Sequence, residues 1–352
     1  MFAYVGSRTT RERNARGDGI SVYRCDPETG ALALVQVHGE LVNPSFLAMN
    51  KAGDRLYAVH GDCEDISSFV VDRSTGRIEL LNRQSTQGKN PVHLALDPTE
   101  RFVVISNHIT SSLAVLPIEV NGALGELTQL VKLEGEPGPH RKEQPFAKPH
   151  FNPFDPSGRF VIVPDKGLDK VFSFRFSEGR LSPAQAPKIL AREASGPRHI
   201  AFHPKQPWGY VVNELDSTVT ACKLDATTGA LQPFQIVSGL SDTYTGNSRA
   251  SEIEVHPSGH TLYASNRGEE TIAVLAIHPN TGRTQLIQSM PCGGKTPRFF
   301  ALTPDGRFMH VLNEDSDTIV TMSVDAQTGM LSVTDQSLSC GSPVCIVYMH
   351  LS

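Results

Sequence analysis

The sequence lacks the short signatures of several common catalytic classes. It has no Gly-x-Ser-x-Gly elbow, no Walker loop, no Gly-x-Gly-x-x-Gly turn and no His-Glu-x-x-His pair. Those absences argue against a nucleophile-elbow hydrolase, a P-loop enzyme, a dinucleotide-binding domain and a zinc peptidase. No apolar run approaches the roughly 20 residues of a membrane helix. The opening MFAYVGSRTTRER is apolar for far too few residues to be a signal-peptide core. The six cysteines (Cys25, Cys63, Cys222, Cys292, Cys340, Cys345) include no Cys-x-x-Cys spacing, which reads as free thiols in a reducing cytoplasm. With 32 Lys and Arg against 37 Asp and Glu, the net charge is −5. That balance offers no cationic surface for nucleic acid or an anionic membrane. No long segment carries a 3.6-residue period, so a helical architecture is excluded.

What the chain does contain is one phrase, many times over. PRHIAFHPKQPWGYVVNEL at Pro197 reads as an apolar run, a tight turn, a second apolar run and a polar end. Copies begin at 44, 91, 149, 250 and 297, and a half-copy, PVCIVYMH, begins at 343. The intervals are 47, 58, 48, 53, 47 and 46 residues. A fixed period of this length marks a repeat architecture.

Each unit holds four strand candidates. In the copy from Pro297 these are Phe299–Leu302, Phe308–Leu312, Thr318–Val324 and Leu331–Val333, with Thr334–Ser339 trailing behind. A second recurrent phrase, DPETG at Asp26, DRSTG at Asp72, DATTG at Asp225, HPNTG at His278 and DAQTG at Asp325, reads as the turn before the fourth strand. Four strands per unit and seven units predict an all-β, seven-bladed β-propeller with four-stranded antiparallel blades. The half-copy at 343 supplies one strand, and the stretch after Phe2 that ends in Ser7-Arg8 aligns with Leu262–Arg267, which ends in Asn266-Arg267. The N- and C-terminal segments are therefore expected to share the last blade, residues 1–40 forming its outer three strands, so that residues 1–352 make one domain with no free sheet edge.

Laying the copies in register separates structure from chemistry. The second residue of the phrase begins the innermost strand at one mouth of the channel: Ser45, Val92, His150, Arg198, Ser251, Arg298 and Val344. The residue 17 after the first returns to that mouth: Gly61, His108, Lys166, Glu214, Arg267 and Glu314, with Arg8 from the N-terminus. The residue before it is mostly Asn, including Asn107, Asn213, Asn266 and Asn313. The two longest connections, Glu134–Lys148 and Ser238–Arg249, arrive at the same face.

A ring of Arg, Lys, His and Glu at one mouth suits a small anionic substrate. Several readings remain open on these residues alone. Arg198 and Glu214 could simply pair, Ser251 and His150 could form a nucleophile pair, and Asp165, Asn213, Glu214, Asn313 and Glu314 offer oxygens to a calcium ion, although the nearby Arg would oppose it.

The phrases KPHFNPFDPSGRFVIVPDKGLDKV, PRHIAFHPKQPWGYVVNEL, ASEIEVHPSGHTLYASNR and TPRFFALTPDGRF resemble the seven-bladed propeller lactonase family, which includes a bacterial type of 6-phosphogluconolactonase and the fungal 3-carboxy-cis,cis-muconate lactonizing enzyme. The resemblance covers nearly the whole chain. It implies a site of one His, two Arg and one Glu with no metal and no cofactor, and these fall on His150, Arg198, Arg267 and Glu214. Lys148 departs from the family, where relatives often read His-x-His. The resulting expectation is a metal-independent hydrolase of a sugar or sugar-phosphate lactone, 6-phosphogluconolactone first. His150 or Glu214 would be the base, Arg198 and Arg267 would hold the oxyanion, and Arg298, Lys166, Arg8, Asn266, Asn313 and Glu314 would bind substrate. A muconate cycloisomerase and a non-catalytic propeller that binds a partner or metabolite are the alternatives.

Overall fold

The computed structural model describes residues 1–349. His350, the last residue of the PVCIVYMH half-copy, lies outside the described residues. The described residues form 27 strands, β1 to β27 in chain order, and a single 3-10 turn at Arg11–Arg13. The strands group into seven antiparallel sheets arranged as the blades of a propeller. The ring closes where β27 (Pro343–Met349) pairs with β1 (Phe2–Ser7), followed outward by β2 (Ile20–Cys25) and β3 (Leu32–His38).

Six sheets have four strands and one has three. The exception is the blade of β12 (Phe160–Asp165), β13 (Lys170–Ser177) and β14 (Arg180–Leu190). Its innermost position is filled by the segment from Pro149 to Phe154, which touches β12 through only two bridges, Pro149 with Asp165 and Phe154 with Val161. Pro153 and Pro164 each lack an N–H, so a continuous ladder cannot form there. The trailing segment Thr334–Ser339 proves to belong to the fourth strand, β26 (Leu331–Ser339), which continues past a shift in register.

Apolar residues from adjacent blades share each core. Tyr210, Val212 and Val219 of one blade pack with Leu262, Ala264 and Leu275 of the next, all buried. The Val and Leu side chains among them contribute roughly 1.5–3 kcal/mol each on burial. Turn glycines, most of them in the Asp-x-x-Thr-Gly phrase or its variants, add a polar latch between blades. Tyr4, Tyr57, Tyr210 and Tyr263 donate their hydroxyls to the carbonyls of Gly76, Gly122, Gly282 and Gly329, each in the following blade, at 2.7–3.1 Å. His310 does the same to Gly30 at 2.7 Å through Nε2. Gly282 shows why glycine stands here. Its φ is +68°, and a Cβ would lie 2.5 Å from the Trp208 ring.

One backbone feature prepares the mouth. After the opening residue of most innermost strands the ladder skips a residue. Pro197 pairs with Asn213, but His199 pairs with Val212; Pro297 pairs with Asn313, but Phe299 pairs with Leu312. The skipped residues, Arg198 and Arg298, sit in β-bulges, which re-aim a side chain out of the plain strand alternation. In β19 (Arg249–Val255) the skip is wider. Ala250 pairs with Asn266 and Ile253 with Ala264, so Ser251 and Glu252 both fall within it.

Candidate active site

Glu214 is the centre of charge at the mouth. It follows β16 (Trp208–Asn213) and is 3% exposed. Arg198 Nη1 reaches its Oε2 at 2.8 Å, Lys166 Nζ reaches Oε1 at 3.1 Å, and Arg267 Nη2 lies 3.4 Å from Oε2. Burial alone would raise its pKa, but Lys166, Arg267 and Arg198 outweigh burial and hold it well below the usual carboxylate range. Glu214 is thus a fixed anion whose lone pairs are already engaged.

The two long connections meet above it. Glu143 of the first accepts from Lys166 at 3.0 Å and pairs with Arg249, at the end of the second, at 2.9 Å. Gln144 anchors the first loop by donating to the Lys166 carbonyl at 2.9 Å.

His150 lies on the other side of Arg198. Arg198 Nη1 is 2.8 Å from His150 Nε2, and Arg198 Nε donates to the Ser251 carbonyl at 3.1 Å. Burial first, then Arg198, His108, His199 and Lys166, keep the His150 pKa well below its ordinary value. His108 stands edge-on to it with ring centres 5.1 Å apart, and burial pushes His108 down to about 3. Both imidazoles are therefore neutral near pH 7.

Across the channel a second pair forms around Glu314. Arg8 Nε donates at 2.8 Å and Arg298 Nε stands at 3.7 Å. Arg8 is 6% exposed, its Nη1 is buried with no hydrogen-bond partner, and burial together with Arg298 lowers its pKa to about 9. Arg8, Arg298, His150, Arg198 and His199 line one small cavity of about 20 Å³, with Phe46 and Phe299 at its wall.

A family model described as "Lactonase, 7-bladed beta-propeller" matches residues 2–348. The chain belongs to the seven-bladed propeller lactonases. Curated relatives of this lactonase include the 6-phosphogluconolactonase of Bacillus subtilis (strain 168), 31% identical over 99% of each chain. The 6-phosphogluconolactonase of Formosa agariphila is also 31% identical, over 95% of this chain and 96% of its own. Among solved structures, the periplasmic gluconolactonase PpgL of Pseudomonas aeruginosa superposes with a TM-score of 0.92 at 26% identity, covering 100% of this chain and 99% of that one. Membership assigns the chain to the lactone hydrolases.

In this lactonase the structure gathers His150, Arg198, Glu214, Arg267 and Lys166 on one side of the mouth and Arg8, Arg298 and Glu314 on the other. Two expected substrate ligands are corrected. Asn266 and Asn313 are fully buried and turn their amides to the loop carbonyls of Gly239 (2.8 Å) and Cys292 (3.1 Å), where they tie one blade's turn to the connection before it. The Ser251–His150 pair does not form, because the Ser251 hydroxyl donates to the Arg298 carbonyl at 2.6 Å. Of the oxygens considered for calcium, those of Glu214 and Glu314 face Arg and Lys, and Asp165 Oδ1 accepts the backbone N–H groups of Lys148 and Leu168 at 2.9 Å each, while Asp165 Oδ2, Asn213 Oδ1 and Asn313 Oδ1 are buried without a hydrogen-bond partner. Lys148 places its ammonium 5.2 Å from the Phe146 ring centre. Among the described residues no helix is long and apolar enough to cross a membrane.

Four contributors escaped the sequence reading: Glu143, Arg249, His199 and Glu252. Glu143 and Arg249 belong to the two long connections. For His199 and Glu252 the third residue of each phrase carries the missed signal. It is Phe46, His93, Phe151, His199, Glu252, Phe299 and Cys345, as varied from copy to copy as the columns that were read.

Proposed function

We propose that the protein hydrolyses a sugar or sugar-phosphate lactone, 6-phosphogluconolactone first, without a metal ion. The observation that carries the reading is the cavity that joins a neutral His150 to Arg198 on one side and an incompletely paired Arg8 to Arg298 on the other. The names of the Bacillus and Formosa relatives point to the same substrate.

The roles follow from charge. Glu214 is too firmly held as an anion to take a proton, so His150 Nε2 is the base that draws a proton from water. The water oxygen attacks the lactone carbonyl. Arg198 and Arg267 stabilise the tetrahedral oxyanion with donors already oriented by Glu214. The ring oxygen then leaves and takes back the proton, giving the open acid. Arg8, whose Nη1 is unused, and Arg298 anchor the substrate's distal anionic group, with Lys166 in reserve. The six unpaired cysteines favour a reducing, cytoplasmic setting.

A panel of lactones tests the reading, with 6-phosphogluconolactone and its unphosphorylated counterpart side by side. Rapid hydrolysis of the phosphorylated lactone, unchanged in chelator, is expected. Arg8→Ala and Arg298→Ala should each lower kcat/KM for it by about 10- to 100-fold, the worth of a hydrogen bond to a charged group. Turnover of a muconate with no lactone hydrolysis would replace hydrolysis by cycloisomerisation.

A further inference from the structure

Behind His150 the innermost strands carry a continuous row of polar contacts that the hydrolysis reading does not use. His150 Nδ1 is 3.2 Å from His199 Nε2, and His199 Nδ1 is 3.1 Å from both carboxylate oxygens of Glu252. The row crosses three consecutive blades: the segment beginning at Pro149, β15 (Pro197–Phe202) and β19. All three side chains are buried. Phe151 stacks on the His199 ring at 4.1 Å between centres and fixes its plane.

Arg198 sets the direction of every hydrogen bond in the row. A guanidinium has only donors, so Arg198 Nη1 donates to His150 Nε2, which must be unprotonated. The His150 proton is then on Nδ1, and it donates to His199 Nε2. His199 in turn carries its proton on Nδ1 and donates to Glu252. The reverse order would set an N–H of His150 against an N–H of Arg198. The bulge holds the far end in place. Glu252 lies inside the wide register skip of β19, where its own N–H finds the Ser265 hydroxyl at 3.0 Å and its Oε1 accepts the Ile253 N–H at 3.0 Å.

We propose that Glu252 is a positioning residue and the terminus of a proton relay, Glu252–His199–His150, that opens at the mouth of the propeller. The proposal rests on His150 being the base. When a water replaces Arg198 at His150 Nε2, that nitrogen takes the water's proton. The Nδ1 proton of His150 moves to His199 Nε2, and the Nδ1 proton of His199 moves to the Glu252 carboxylate. The hydroxide equivalent adds to the lactone carbonyl. Collapse of the intermediate releases the ring oxygen, which is protonated as the three transfers run backward. No proton is gained or lost, and both imidazoles are neutral with the proton stored.

The electrostatics agree with storage at the far end. Neither imidazole keeps a second proton, because burial depresses both. Burial raises Glu252 to about 8, against the pull of the Ile253 N–H, Arg198 and Arg298. The groups facing Glu252 are His199 and Arg198 on β15, Arg298 on β23 (Pro297–Leu302), Cys345 on β27 and Glu254 on its own strand. A carboxylate with that affinity can accept the proton only while ionised, so turnover should rise with pH and level off above about 8.

Two measurements test the relay. The first is the pH dependence of kcat for Glu252→Gln and Glu252→Asp, corrected for spontaneous lactone hydrolysis. Glu252→Gln should lower kcat about 10- to 100-fold, change KM by less than about threefold and lose the rise toward pH 8, while Glu252→Asp recovers part of kcat. A Glu252→Gln enzyme with wild-type kcat and pH profile overturns the relay, even if His150→Ala is inactive and the hydrolytic reading stands. The second measurement needs no activity. In ¹⁵N-histidine-labelled wild-type protein, with signals assigned through His150→Gln and His199→Gln, both imidazoles should carry their proton on Nδ1. The His199 signal should shift as pH passes about 8. Either imidazole protonated on Nε2, or a His199 signal indifferent to pH in that range, overturns the relay even if no lactone is hydrolysed.

Discussion

Arg198 and His150 come from adjacent blades and meet at 2.8 Å, the arginine donating to imidazole Nε2. The contact requires Nε2 to be unprotonated. It also means that the group binding the oxyanion and the group taking the proton are each other's neighbours.

Residues coupled in this way act as a unit. His150→Ala and Arg198→Ala should each lower kcat/KM by about a hundredfold or more. The double variant should lose far less than the product of the two. A steady-state double-mutant cycle reads the coupling, and full additivity would separate their roles.

Glu143 competes with an anionic substrate for Lys166 and Arg249. Its loop stays anchored through Gln144, so Glu143→Gln should lower KM severalfold with kcat little changed. The gain should shrink in 0.5 M salt, which screens exposed charges. A KM that rises instead would mean that the Glu143–Arg249 bridge is needed to shape the mouth.

Stability should fall as pH rises from about 7 to 8. Glu252 and Glu254 are both raised by burial to about 8, far above the roughly 4.3 of an unfolded Glu. Across that window the folded chain binds protons that the unfolded chain has released, so the slope of stability with pH is negative. The buried imidazoles act oppositely, but their contribution is complete once pH exceeds the ordinary histidine value. Urea melts at three pH values should show the decline, and Glu252→Gln should reduce it. Glu214 has the opposite sign: its stabilisation is present above the ordinary carboxylate range and is lost as pH falls through its depressed pKa.

Tyr263→Phe removes a latch and leaves the Gly329 carbonyl without its 2.7 Å donor. A loss of about 1–2 kcal/mol is expected, seen as a lower urea midpoint with an unchanged m-value. No change would mean that apolar packing alone holds that pair of blades.

Much of this is legible in the sequence. The phrase starting at Pro197 and its copies fix seven units, because a strand pair with turn chemistry at a constant interval has one economical way to bury both faces. The divergent ends of the phrase pointed to Arg198, Glu214, His150 and Arg267 for the same reason: residues serving only the fold should repeat, and these do not. Asn266 and Asn313 belong to a column that is Asn in four of its seven copies, and in both the side-chain amide goes to a loop carbonyl, which is turn chemistry rather than substrate contact.

What the sequence by itself determined is the ring, its closure by both chain ends, and the mouth at which charge collects; those follow from periodicity, which is local. The tertiary structure alone decided which of those charges touch. His150, the adjacent pair Arg198 and His199, and Glu252 lie on three consecutive blades, 48 and 53 residues apart along the chain, and the contacts of Arg198 and Glu252 depend on bulges that shift a strand's register. Such a shift re-aims a side chain without altering the apolar pattern around it, so Glu252 reads in the sequence as one more acidic residue in a strand and in the structure as the buried end of a chain of hydrogen bonds.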